Sequence, residues 1–229
     1  TPSLAHWYML VRLSESDPTL YSQGFRYHLL QSGGEDLRFQ SENGTELKHE
    51  IQKWEITGES LVWVQIPALL PGEKILMRWG NPQAALPAYA NNGEAWSASH
   101  AVFHLDEPTT TKFNDASAQS NDVLNPVNIS PTTGVVGGAM DWGDGNNDRA
   151  KTTSPVDTGS AFTASMWLKY EKTSDVKYQN ILTNKPQWTD AFGFYFGLFD
   201  NDVDRIEARG GAANPVVRVD NVVSSWIGG

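Results

Sequence analysis

Residues 61–66 read Leu61-Val62-Trp63-Val64-Gln65-Ile66, an apolar cluster of strand length closed by Pro67. Working outward from it, Trp7 to Leu13, Leu37 to Phe39 and Lys74 to Trp79 have the same length and character. Between these runs lie Ser32-Gly33-Gly34, Glu42-Asn43-Gly44-Thr45 and Leu70-Pro71-Gly72, combinations that supply a positive φ or preset a turn. Asn43-Gly44 predicts a hairpin between Leu37–Phe39 and His49–Trp54. No stretch of this half sustains 3.6-residue periodicity with a cap at each end, so little helix is expected. The stretch Gln83 to Ser99, rich in Ala, Asn and Pro, reads as a connector.

The pattern resumes with Ala101 to Leu105 and, after a long polar loop, with Gly137 to Trp142, Ala161 to Tyr170 and Gln179 to Thr183. Phe192 to Phe199, Arg205 to Arg209 and Val216 to Val219 complete it. Many short strands separated by polar turns predict an all-β chain with a sandwich or jelly roll in its second half. The expected organisation is a β-rich domain over 1–90, a connector over 91–100 and a sandwich over 101–229.

The formal charge of −10 argues against a nucleic-acid partner, which needs clustered Lys and Arg to displace counterions. With no Cys, disulfides, thiolate metal sites and Cys nucleophiles are excluded. The sequence contains no apolar run of the roughly 20 residues that cross a bilayer. It begins at Thr1 rather than Met and ends soon after Trp226, which reads as a segment of a longer precursor.

Two resemblances cover most of the chain. Met9-Leu10-Val11-Arg12-Leu13, Gly34-Glu35-Asp36-Leu37-Arg38-Phe39, His49-Glu50-Ile51-Gln52-Lys53-Trp54, Leu61 to Pro67 and Met77-Arg78-Trp79-Gly80-Asn81-Pro82 occur in that order. Through them Tyr8 to Ala90 resembles a bacterial domain of unknown function that recurs in exported proteins and in MotA/TolQ/ExbB proton-channel relatives. Val102 to Glu107, Asn114-Asp115 to Asp122, Gly137 to Trp142 and Phe162 to Lys169 resemble a laminin-G-like, concanavalin A-like domain. That likeness implies a β-sandwich (jelly roll), an extracytoplasmic location, glycan or surface-protein ligands and, in some members, Ca2+. The shortness of the chain after Val222 implies a sandwich incomplete at its C-terminal side, and a full-length protein tethered to a membrane fits the first resemblance.

The candidate oxygen ligands for a calcium ion held between separate loops are Asp106, Asp115, Asn121 and Asp141, which lie in the segments that carry the second resemblance. The local runs Asp144-Asn146-Asp148 and Asp200-Asp202-Asp204 imitate the start of a calcium loop. They lack the Gly and the bidentate Glu that complete one. Trp142, Tyr178 and Trp188 sit in or next to loops and are the candidate sugar-stacking aromatics, whereas Trp54, Trp63 and Trp167 alternate with strand residues and are expected in the core. A glycosidase needs two carboxylates flanking one bond, and the pair to consider is Glu50 and Glu55. Five positions apart on a strand, they face opposite ways unless a bulge intervenes. The five His residues show no zinc spacing and no Gly-x-Ser-x-Gly elbow occurs. The reading is therefore a non-catalytic binding module with no assigned catalytic residue. A transport-associated TolQ/ExbB-type segment and a glycoside hydrolase are the alternatives.

Overall fold

A computed structural model describes residues 4–69, 71–143, 148–156, 162–169, 178–184, 194–200, 204–210 and 216–220. The described elements are predominantly antiparallel β, as the sequence predicts. The chain divides into two compact units, one of Thr1–Gly143 and Asn147–Gly159, the other of Asp144–Asn146 and Ser160–Gly229.

In the first unit, β1 (Leu4–Leu13), β2 (Arg38–Ser41), β3 (Glu46–Leu47), β4 (His49–Lys53), β5 (Ser60–Leu69) and β6 (Ile75–Arg78) form two three-stranded sheets. Their orders are β1-β5-β4 and β3-β2-β6. The register Leu10↔Trp63↔Glu50 and Val11↔Val62↔Ile51 fixes which residues share a face. Because side chains alternate along a strand, Val62 and Val64 point to one side of β5, and Leu61, Trp63 and Gln65 to the other. The first side meets Phe39 and Leu47 of the second sheet, together with Leu13, Phe25, Tyr27 and Leu37, in one buried cluster. Withdrawing such a side chain from water contributes about 1.5–3 kcal/mol each, which makes this cluster the main source of stability in the unit. Both faces of β5 are covered. That explains the nearly unbroken apolar run with which this strand is written.

The Asn43-Gly44 signal is realised as a turn, with Gly44 at φ +85° and its N–H on Ser41 O at 2.9 Å. Its second arm is β3, not the expected His49–Trp54 run. The chain leaves the β2 sheet after Leu47 and enters the β5 sheet at His49, with both side chains buried.

His49 is fully buried against Phe39 and Tyr89, and its Nε2 has no hydrogen-bond partner. Burial first, and then the Arg38 guanidinium, lower its pKa from 6.5 to about 4. The folded state therefore refuses a proton that the unfolded chain accepts. Stability is full above pH 6.5 and falls as the pH drops towards 4, by about 3 kcal/mol from this residue alone. Denaturant midpoints between pH 7.5 and 4 should show a shallower acid loss in His49→Phe than in the parent, and parallel curves would contradict this assignment.

The rest of the first unit is built from short pieces. A five-residue helix, α1 (Pro18–Ser22), is capped by Asp17, whose carboxylate accepts Thr19 N and Leu20 N. β7 (Lys112–Phe113) pairs with β8 (Val123–Leu124), and β9 (Ser130–Thr133) with β10 (Gly138–Asp141). Phe113, Val123, Ile129 and Met140 form a second buried cluster. The expected strand over Ala101 to Leu105 is reduced to a single bridge between Phe103 and Asp115.

The two compact units part between Gly143 and Ser160. Residues 94–98 are tied to the first sheet: Lys48 Nζ reaches Glu94 at 2.8 Å, Gln65 Nε2 donates to Ser97 Oγ at 2.9 Å, and Ala98 N donates to Tyr8 OH at 3.3 Å.

In the second unit β11 (Tyr178–Thr183), β12 (Phe194–Asp200), β13 (Asp204–Gly210) and β14 (Val216–Asp220) form an antiparallel meander in chain order. Residues 162–169, expected as a strand, have no regular structure, and Trp167, expected in the core, is 76% exposed. Among the described residues no strand pairs with its backbone, and an apolar run without such a partner has nothing to hold it in a sheet.

Candidate functional site

The outer face of the β1-β5-β4 sheet carries Tyr8, Trp63, Gln65, Glu50 and Gln52, and the segment 94–106 lies on it. Glu50 is the hub. Its Oε2 accepts Trp96 Nε1 at 2.5 Å and lies 2.9 Å from His104 Nε2. A carboxylate without a proton only accepts, so His104 Nε2 carries the hydrogen. The His104 imidazole is stacked with Trp63 at 17° and packs against Trp96 with centroids 5.8 Å apart. Trp96 in turn meets Tyr8 at 4.4 Å.

Next to this cluster β4 bulges between Ile51 and Lys53. The bulge is at Gln52, which accepts Trp63 Nε1 at 2.7 Å and donates to Asp106 Oδ2 at 2.9 Å. Gln52 thereby links strand β5 to the 101–106 segment.

Beyond Glu50 lies a polar depression of about 210 Å3, lined by Glu50, Asn91, Asn92, Gly93, Asp115, Ala116, Ser117 and Ser120. Glu50 Oε1 has no partner among the described residues, so one oxygen of the carboxylate is held and the other is available. The two loops that form the rim approach very closely. Gly93 has φ +81°, and a Cβ there would sit 2.3 Å from Ala118 N and 2.5 Å from Ser117 C.

Asp115, one of the expected calcium ligands, is buried and organises the far wall. Its Oδ1 accepts Val102 N and Ser117 N, both at 2.9 Å, and its Oδ2 accepts Ser117 Oγ at 3.0 Å and Asn121 N at 2.9 Å. Asp115 N donates to Asp122 Oδ1 at 2.9 Å. Burial would raise the Asp122 pKa, but the Lys112 ammonium 2.7 Å away and this N–H outweigh it and lower the value.

Asp115 and Asn121 thus share a loop in which both carboxylate oxygens of Asp115 are committed to neighbouring groups, Asn121 N among them. Asp106 is exposed and bound to Gln52, while Asp141 is exposed and accepts Gly143 N at 3.0 Å. Among the described residues no group of three or more His, Asp or Glu stands where it could hold a metal ion. Of the local runs, Asp144, Asn146 and Asp202 lie outside the described residues.

Among the aromatic candidates, Trp142 is 40% exposed just past β10. Tyr178 opens β11 with its side chain outside the described residues, as is the whole of Trp188. Glu55 is not brought to Glu50, despite the bulge between them. It turns back to accept Thr57 N at 3.1 Å and Thr57 Oγ1 at 2.6 Å, bonds that lower its pKa. The convergence of Glu50, Trp96 and His104 was not anticipated from sequence. Its partners are 46 and 54 residues from Glu50, and no local pattern announces such a contact.

Among the described residues no helix is long and apolar enough to cross a membrane. Comparison with curated proteins and with solved structures gave no match. Comparison with protein families gave one, over residues 33–121. It takes in four of the five motifs quoted above for the first module. It also runs on through Val102–Glu107 and Asn114–Asn121, the stretch that packs around Glu50 and Asp115. The segment of this chain that builds the depression is therefore similar to the family described as Domain of unknown function (DUF2341).

Proposed function

We propose that this chain is a non-catalytic, extracytoplasmic binding module whose ligand is a carbohydrate, held in the depression beside Glu50. The supporting observation is the lining: the amide of Asn91, the hydroxyl of Ser120 and one carboxylate oxygen of Glu50 have no partner among the described residues, while the Asn92 amide is held by Glu94 and the Ser117 hydroxyl by Asp115. Such a set offers donors and acceptors together without a compact positive charge, which suits a neutral polyhydroxylated molecule better than an anion. Glu55 is turned into its own loop, which weighs against a two-carboxylate hydrolase. The laminin-G-like, concanavalin A-like resemblance of the second half also supports this proposal, since that kind of domain carries glycan or surface-protein ligands, and Trp142 is an exposed aromatic. The resemblance of the first half to exported and TolQ/ExbB-related proteins supports a location outside the cytoplasm and a transport-associated parent as part of this proposal.

The test is binding of the labelled full chain to an array of neutral oligosaccharides, followed by titration of the best binder. Asn91→Ala and Ser120→Ala, both at exposed positions, should each weaken binding by about 3- to 10-fold with the melting temperature unchanged. An array without signal, or variants that bind like the parent, would remove the depression as the site.

A further inference from the structure

The outer face of the β3-β2-β6 sheet carries a second feature, independent of Glu50. Arg38 and Arg78 are direct cross-strand partners in the β2-β6 register. Like charges placed opposite one another on a sheet are destabilising, so such a pair breaks a local rule of sheet construction. It stands out all the more in a chain whose formal charge is −10.

Arg38 is internally satisfied. Its Nη1 donates to Glu35 O and Leu37 O, its Nη2 donates to Ala85 O at 2.7 Å, and its Nε lies 3.6 Å from Glu46. Arg78 is exposed and uses only Nε, on Gln40 Oε1 at 2.7 Å. Its two Nη groups have no acceptor among the described residues.

Both arginines line an open cleft of about 550 Å3, with Trp79, Asn81 and Ala84. The one carboxylate in its wall, Asp36, is buried, and three backbone N–H groups occupy it: Gln31, Gly80 and Asn81. It is not available to neutralise Arg78.

We infer that this cleft is a binding site for the carboxylate of an acidic saccharide. The free edge of the Arg78 guanidinium presents parallel N–H donors, the geometry that grips a carboxylate through two bonds. Arg38, held rigidly beside it, adds a second positive charge. Asn81 Nδ2 has no partner among the described residues and is available to a hydroxyl, while Trp79 and Ala84 give the cleft an apolar side.

The test is calorimetric titration of the full chain, at low salt, with a galacturonic acid oligomer, a neutral glucose oligomer of the same length and a glutamate oligopeptide. Saturable binding of the acidic saccharide is expected, and any binding of the neutral one, at the Glu50 depression, should be the same in Arg78→Gln as in the parent. Arg78→Gln should weaken it about tenfold or more, and Arg78→Lys should recover only part of the loss, since an ammonium cannot make the paired bonds. Relief of the like-charge pair should leave the melting temperature of Arg78→Gln unchanged or higher, which separates lost binding from lost fold. Absence of binding, equal binding by Arg78→Gln, or a glutamate peptide that binds as tightly as the saccharide would each overturn the inference.

Discussion

Asp36→Ala is expected to destabilise the first unit by about 4 kcal/mol, because one side chain serves three backbone donors that have no other acceptor. Its Oδ1 accepts Gln31 N at 2.9 Å, and its Oδ2 accepts Gly80 N at 2.6 Å and Asn81 N at 3.0 Å. The residue is 3% exposed, so water cannot simply take its place. These bonds tie the turn before β2 to the turn after β6. Their loss frees both ends of the β2-β6 pair at once. Asp36→Asn keeps one carbonyl oxygen and should cost about half as much. Urea denaturation followed by tryptophan fluorescence would measure both. An alanine variant within about 1 kcal/mol of the parent would show that the turns hold without the carboxylate.

The second large effect is expected at Gly93. Substitution by Val should cost about 4 kcal/mol or more, from two additive sources. A β-branched residue at φ +81° is strained by its own backbone, and its Cβ would press on Ala118 N and Ser117 C, which are main-chain atoms and cannot rotate away. The rim of the Glu50 depression would open or the unit would unfold. Gly44→Val provides the control: it shares the positive φ, at +85°, but a Cβ there meets nothing within 4 Å. The difference between the two denaturation midpoints isolates the close approach of the loops. Equal losses would place the whole cost in the backbone torsion.

These two residues also mark how far the sequence could be read. The strands β1, β2, β5, β6 and β10 to β14 are legible because each is a short run of clustered or alternating apolar residues bounded by turn residues. The helix α1 carries no periodic signature, although Asp17-Pro18 is a cap followed by the residue type favoured at the first helical position. Five residues are too few for periodicity to register. The crossing of the chain between sheets at Lys48 was not legible either, since Leu47 and His49 would look the same in a single continuous strand. Residues 162–169 were read as a strand because composition reports what a segment can pair with, and not whether a partner is beside it. The site was illegible for a related reason. Asp115 reads equally well as a metal ligand or as an acceptor for its own loop, and only the directions of Val102 N, Ser117 N and Asn121 N decide between them.

The pairing of β1 with β5 bears on how quickly the molecule forms. Leu13 faces Ser60 and Leu4 faces Leu69, so every hydrogen bond of this ladder encloses the whole stretch from 14 to 59. Closing a loop of that length costs about 3 kcal/mol of chain entropy before the first rung exists, and each later rung must be laid outward from that closure. The β2-β3 turn, by contrast, closes within a few residues and can form and dissolve many times in the interval. The slow event is then the arrival of β1 at the edge of β5. Until it happens, Val62 and Val64 lie on a strand with a bare margin, and the newly made chain is at its most vulnerable to joining a neighbour in place of itself.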